Sequence, residues 1–272
     1  MSKLKKALDK AKETRQQGYS PAVAVNRNES STDRTEQQHL NQQQENNPSF
    51  VQTRISTCDP QLLHNNKIIF DCQAQEAADQ VKILRTQILD HFKGIRGNSL
   101  LLTSPTASTG TTLTAINLAL SMAQEINRTV LLVDADLRHP SIHRYFGLTA
   151  ERGLSDYLRG KANLPELLIN PGFDKLTILP GGKPLPNSTE LLGAPQMESL
   201  VREMKTRYAD RFLIFDSSPL LTCADALVFS NFIDSILLVV EVEKSSRREI
   251  KQAMELLQDK PVLGSILNKI RN

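Results

Sequence analysis

Uninterrupted apolar runs constrain this chain more than any other feature of its sequence. Leu100–Thr103, Val130–Val133, Phe212–Phe215 and Ile236–Val240 show no polar alternation, and Val262–Leu267 makes a fifth such run. A strand with one face in water alternates apolar and polar residues, so these runs read as strands buried on both faces. Helical patterns separate them. One covers roughly residues 74–93, with Val81, Leu84, Ile88 and Phe92 on one side. Strands of this kind alternating with helices predict an α/β fold, a mostly parallel doubly wound sheet covered on both faces. In such sheets ligands sit beyond the carboxyl ends of the strands. The residues just past each run are therefore where chemistry is expected.

Upstream of the runs the composition changes. Residues 1–15 place Leu4, Ala7, Leu8 and Ala11 at helical spacing among lysines, which predicts a short basic amphipathic helix. A helix this short is marginal alone in water, so it reads as a solvated arm or as a docking helix. Residues 16–65 read as a disordered Gln/Asn-rich linker, unable to bury enough surface to offset its ordering entropy. Residues 66–272 then form one domain of ordinary size. A net charge of +3 is too small to argue for nucleic acid. Cys58, Cys72 and Cys223 are scattered, which excludes a disulfide framework or a zinc site and suggests reduced thiols. No apolar run approaches the length of a membrane span, and the N-terminus lacks the apolar core of a signal peptide. A cytoplasmic location is expected, with any membrane association through a partner or a surface helix.

The end of the first run leads through Ala107-Ser108-Thr109-Gly110-Thr111-Thr112 into a helical stretch. A Walker A loop, G-x-x-x-x-G-K-[ST], cradles phosphates with backbone N–H groups and reaches them with a lysine. Aligned on Gly110 and Thr112, the lysine falls on Thr111, Ser108 carries a Cβ where a glycine would ease close phosphate approach, and no lysine lies between Lys93 and Lys161. The loop keeps its frame and loses its charge; alone, it fits an ordinary strand–turn–helix equally well. The second run ends in Asp134-Ala135-Asp136-Leu137-Arg138. Asp134 and Asp136 could hold Mg²⁺ directly or through water, and one could take a proton from a hydroxyl nucleophile. The plain alternative is that Asp134 caps the next turn and Asp136 pairs with Arg138. The third run ends in Asp216-Ser217-Ser218-Pro219, an apolar run followed by aspartate as in a Walker B motif.

In this order the motifs resemble the bacterial tyrosine autokinases of capsule and exopolysaccharide loci, over about residues 70–272. The resemblance rests on Asp134 to Pro140 and on Asp216 to Pro219. It rests also on Gly153-Leu154-Ser155-Asp156-Tyr157-Leu158 and on the stretch from Leu179 to Leu192 that contains Pro180-Gly181-Gly182. It implies a P-loop fold and a cytoplasmic ATP-dependent tyrosine kinase at the inner face of the plasma membrane, working with a membrane chain-length regulator. It implies that Asp134, Asp136 and Asp216 are catalytic, and that Thr112, Asp134 and Asp216 hold Mg²⁺. ATP or ADP would lie against Ser108, Thr109, Gly110, Thr111, Thr112 and Arg138, with Asn268 near the adenine. The family's E-x-x-R-x-x-R subunit-contact motif is matched in charge by Asp79, Lys82 and Arg85, which implies a possible homo-oligomer.

Two departures bear on activity. Thr111 cannot neutralise developing charge as a lysine does, and Arg138, Lys93 or an arginine from a neighbouring subunit are candidate substitutes. Family members commonly end in a tyrosine-rich tail, whereas residues 209–272 hold no tyrosine. Tyr145, Tyr157 and Tyr208 read as structural, leaving Tyr19 as the acceptor candidate in the flexible arm. The expected function is therefore Mg-nucleotide binding with weak or lost phosphotransfer. The alternatives are an active autokinase with a substitute cation and a partition- or positioning-type P-loop ATPase.

Overall fold

A computed structural model describes residues 53–70, 75–125, 128–207 and 210–270. The expected N-terminal helix, Tyr19 and Tyr208 lie outside these residues, as does most of the expected linker. Eight strands form one sheet: β1 (Arg54–Ile55), β2 (Ser99–Thr103), β3 (Thr129–Asp134), β4 (Ile169–Asn170), β5 (Leu176–Leu179), β6 (Arg211–Asp216), β7 (Ser235–Glu241) and β8 (Val262–Asn268). Their spatial order is β1-β4-β5-β3-β6-β2-β7-β8. Every pairing is parallel except β4 with β5. The doubly wound sheet expected from the apolar runs is the one observed, and all five runs are strands.

Period-two geometry explains why the four central runs are apolar on both faces, whereas β8 lies at the sheet edge with no residue buried. In β2, Leu100 and Leu102 enter one core cluster and Leu101 the other. Phe212 and Ile214 of β6 point to the first side, Leu213 and Phe215 to the second. The first cluster is roofed by α1 (Pro60–Asn65), α2 (Gln75–Gly94) and α3 (Thr111–Ala123) through Leu63, Ile88, Phe92, Ile116 and Met122. Between β3 and β5 come three short helices: α4 (Ile142–Tyr145), α5 (Leu154–Leu158) and α6 (Leu164–Leu167). The second cluster is covered by α5, α7 (Ser188–Leu192), α8 (Pro195–Arg207), α9 (Asp225–Phe229) and α10 (Arg247–Leu256). Central strands with no exposed side chain sit at 0–1% exposure from Leu100 to Leu102 and from Val130 to Val133. Burial of that extent is the main favourable contribution to this fold.

Structure begins earlier than residue 66. β1 pairs with β4, and α1 carries an Asp59 N-cap with Leu63 buried, so residues 53–65 are not linker. Two-residue strands and a six-residue helix give no periodic signal against a polar background, which is why composition misassigned them. Tyr145 and Tyr157 pack partly buried against the two clusters, in keeping with a structural role. Cys58 and Cys223 are free thiols. No helix among the described residues is long and apolar enough to cross a membrane.

Candidate functional site

The sheet brings the three motifs to one edge. Asp134 and Asp216 are register partners at the ends of β3 and β6, and Leu102 near the end of β2 pairs with Asp216. Neighbouring strands are about 4.8 Å apart. The backbones interlock just beyond, where Ala135 N–H donates to Asp216 O at 2.8 Å and Ser217 N–H to Leu102 O at 3.1 Å. Parallel strands in register thus place two carboxylates side by side at the mouth of the loop that follows β2.

Both carboxyl groups are at most 1% exposed. Asp134 Oδ2 accepts the N–H groups of Ser141 (2.8 Å) and Ile142 (3.0 Å), so this residue does cap the turn into α4. Asp134 Oδ1 and both oxygens of Asp216 are buried without a hydrogen-bond partner. Burial, and secondarily the Asp136 charge, push the Asp134 pKa up to about 7 against the two N–H bonds. Asp216 is raised well above the ordinary carboxylate range by burial and then by the charge of Asp134. The Thr112 hydroxyl faces Asp216 and favours its ionised form, yet without the geometry of a full hydrogen bond. Asp136 is half-buried, accepts His139 N–H at 3.1 Å, and is also raised chiefly by burial.

The loop itself is strained in the way phosphate loops are. Gly110 has φ +90° and is the N-cap of α3 without any side-chain cap; a Cβ there would lie 2.3 Å from Asn268 Nδ2. The first N–H groups of α3 are thus left without a capping side chain, the arrangement that attracts anions. Ser108 adopts φ +65° at the exposed apex, a conformation that glycine would take at lower cost. Thr111 is 8% exposed and its Oγ1 lies 3.0 Å from Thr109 Oγ1, so its hydroxyl is engaged within the loop. Ser141 Oγ lies 3.5 Å from Thr112 Oγ1.

Arg138 does not join this cluster. Its guanidinium pairs with Asp225 (3.2 Å) and bonds Thr189 (3.2 Å), while the fully buried Asp225 also accepts from the Ser188 and Thr189 hydroxyls. Those bonds, and the Arg138 charge, hold Asp225 below the ordinary carboxylate range in spite of its burial. Neither the Asp136–Arg138 pair nor an Arg138 on the phosphate loop is observed. Lys93, the other substitute cation considered, pairs with Asp90 at 2.7 Å on α2. Asn268 reaches the loop: its Nδ2 donates to Thr109 O at 2.8 Å. The remaining motifs buttress the edge. Leu154 N–H donates to Pro180 O and Ser155 N–H to Gly181 O, and a Cβ at Gly153 would lie 2.2 Å from Pro180 O. This close backbone approach explains why G-L-S-D and P-G-G occur together. Asp79 and Lys82 pair with each other on the surface, while Arg85 donates to Ser121 O (2.8 Å) and forms an ion pair with Glu125 (3.2 Å) within the chain.

Sequence reasoning missed Ser141, Asp225 and Lys269 as neighbours of the motifs. Lys269 Nζ donates to Ser108 O at 2.5 Å across a separation of 161 residues, for which no local pattern exists.

The chain has relatives and structural neighbours consistent with this geometry. No family model matches the sequence. It is 31% identical over 201 residues to tyrosine-protein kinase CpsD of Streptococcus agalactiae, covering 73% of this chain and 84% of CpsD. It is 33% identical over 193 residues to tyrosine-protein kinase YwqD of Bacillus subtilis, covering 70% and 80%. The solved kinase domain of Escherichia coli tyrosine kinase ETK superposes with a TM-score of 0.68 at 30% identity, over 75% of this chain and 81% of that one. The septum site-determining protein MinD of Pyrococcus horikoshii shares the fold alone, at 24% identity and a TM-score of 0.52. The class defined by fold and motif order is a P-loop-type α/β domain. Within that class the chain belongs to the bacterial tyrosine-protein kinase family.

Proposed function

We propose that this chain is a Mg-nucleotide-binding member of its kinase family, acting in exopolysaccharide or capsule biosynthesis and its regulation, with weak or lost phosphotransfer. We place it in the cytoplasm at the membrane face, beside a membrane chain-length regulator. One observation carries the nucleotide part of this reading. Three carboxylate oxygens, Asp134 Oδ1 and both of Asp216, are buried without partners beside an uncapped helix start. Buried carboxylates left unsatisfied are costly unless a cation or donor completes them.

The donor set fits Mg²⁺. Thr112, Asp134 and Asp216 offer hard oxygen ligands, and Mg²⁺ is ordinarily held by one or two carboxylates with water and substrate phosphates. Magnesium, when bound, supplies charge neutralisation between phosphate oxygens. The α3 N-terminus and the loop N–H groups receive the phosphates. One of Asp134 and Asp136 then accepts the proton of an incoming hydroxyl.

Impairment rests on Thr111. An ammonium about 4 Å from a phosphate oxygen is worth on the order of 4 kcal/mol at an effective dielectric near 20. Thr111 supplies no charge at the lysine position itself, Arg138 is held by the buried Asp225, and Lys93 lies on the exposed surface of α2 beside Asp90. Calorimetry with Mg-ADP and Mg-ATP tests the reading on wild type, Thr111→Lys and Asp134→Ala. Weak binding that Thr111→Lys strengthens about tenfold or more is expected. Incubation with labelled ATP and the membrane partner should give little labelled tyrosine. Robust labelling abolished by Asp134→Ala would overturn the impairment, and absence of any nucleotide binding would overturn the site.

A further inference from the structure

We infer that Lys269 serves as the cation of the phosphate loop, binding nucleotide phosphate in place of the lysine that Thr111 replaces; this rests on the nucleotide reading above. Lys269 immediately follows β8, and its backbone adopts φ +61°, unusual for a side-chain-bearing residue. That turn sends the side chain back across Gly110, with Cε 3.7 Å from where a Gly110 Cβ would be. Nζ then bonds Ser108 O at 2.5 Å and lies 3.2 Å from Glu241 Oε2. Of the described basic side chains, this one is hydrogen-bonded to the loop itself.

An ammonium carries three donors. One is used by Ser108 and one faces Glu241, which leaves one for an incoming oxygen anion. The side chain is 44% exposed, so the third donor is reachable from solvent, and a four-carbon stem lets Nζ follow a ligand. Glu241 is shared with Lys244 at 3.3 Å, so its carboxylate does not cancel Lys269 alone. Asn268 pins the adjacent carbonyl of Thr109. The strained Ser108–Gly110 arch is thus gripped by two consecutive residues from one strand end, of which Lys269 brings the charge. A kinase-type loop that lost its own lysine while keeping its carboxylates has a positive group within reach only if another element delivers it. Here the end of β8 does.

The experiment titrates Mg-ADP into the full chain carrying Lys269→Arg, Lys269→Gln, Lys269→Met, or Lys269→Met with Thr111→Lys. Arginine keeps the charge and should bind within about threefold of wild type, while glutamine and methionine should lose about tenfold or more. That loss should narrow at high salt, and Thr111→Lys should restore binding to Lys269→Met. Glutamine binding like wild type would show that a neutral brace suffices and would overturn the inference. Failure of Thr111→Lys to rescue would do the same. Wild type that binds while Lys269→Met binds equally well overturns this inference alone; wild type that binds no Mg-ADP overturns the nucleotide reading and this inference together. Thermal melts without nucleotide identify any variant that fails to fold, and the arginine–glutamine comparison then decides.

Discussion

Asp134→Asn is expected to stabilise the metal-free protein above neutral pH while abolishing its response to magnesium. The carboxyl group is 0% exposed and titrates near 7 in the native state, against an ordinary value of 3.8. Below the ordinary value both folded and unfolded chains hold the proton, and the group costs nothing. As pH rises from about 4 to 7 the unfolded chain releases its proton and the native chain does not, so stability falls across that window. Above it the full penalty persists. A shift of about three pKa units corresponds to roughly 4 kcal/mol, an upper value because Asp216 shares the cost. Asparagine retains an oxygen for the Ser141 and Ile142 N–H groups and removes the charge beside Asp216. Relief of about 2–4 kcal/mol should raise Tm by roughly 5–15 °C at pH 8 for a domain of this size. At pH 5 the gain should shrink greatly. Added magnesium should raise the wild-type Tm at pH 8 and leave the variant unmoved. Differential scanning calorimetry across pH 5–8, with and without magnesium, measures all of this. A variant less stable than wild type at pH 8, or equally shifted at pH 5 and pH 8, would refute the unpaired-carboxylate argument.

Gly153→Ala should lower stability by about 3 kcal/mol or more, seen in urea melts, because its Cβ would meet Pro180 O at 2.2 Å and both partners are backbone. Asp225→Asn should cost about 1–3 kcal/mol at pH 7 by weakening the bonds from Ser188, Thr189 and Arg138. Because the native pKa of Asp225 is depressed, its contribution is full above the ordinary carboxylate value and is lost as pH falls through the lower native one; the variant's acid-unfolding curve should be flatter there. Arg85→Ala should lower Tm through loss of its bonds to Ser121 and Glu125, an effect that dilution leaves unchanged. A loss that appears only at concentrations where the protein self-associates would instead assign Arg85 to a subunit contact.

The four central apolar runs and the carboxylates that end β3 and β6 were legible in the sequence, because a parallel strand buried on both faces must be apolar along its whole length; β8, read the same way, is an edge strand with no buried residue. Residue order also identified the loop whose lysine is missing. The weak elements were not legible. β1, β4 and α1 are too short for periodicity to register, and pairing with partners distant in sequence stabilises them. Arg138 stands two residues from Asp136 in sequence, yet folding turns its guanidinium to Asp225, 87 residues away.

The chain alone determined the sheet, the strand-end location of the chemistry and the absence of a lysine at Thr111, since each follows from local pattern and spacing. Only the tertiary structure decided which charges meet. Sheet register set Asp134 beside Asp216. A left-handed turn after β8 swung Lys269 onto Ser108. Electrostatic interactions depend on distance through space, and separations of 82 and 161 residues along the chain carry no trace of it until the backbone is folded.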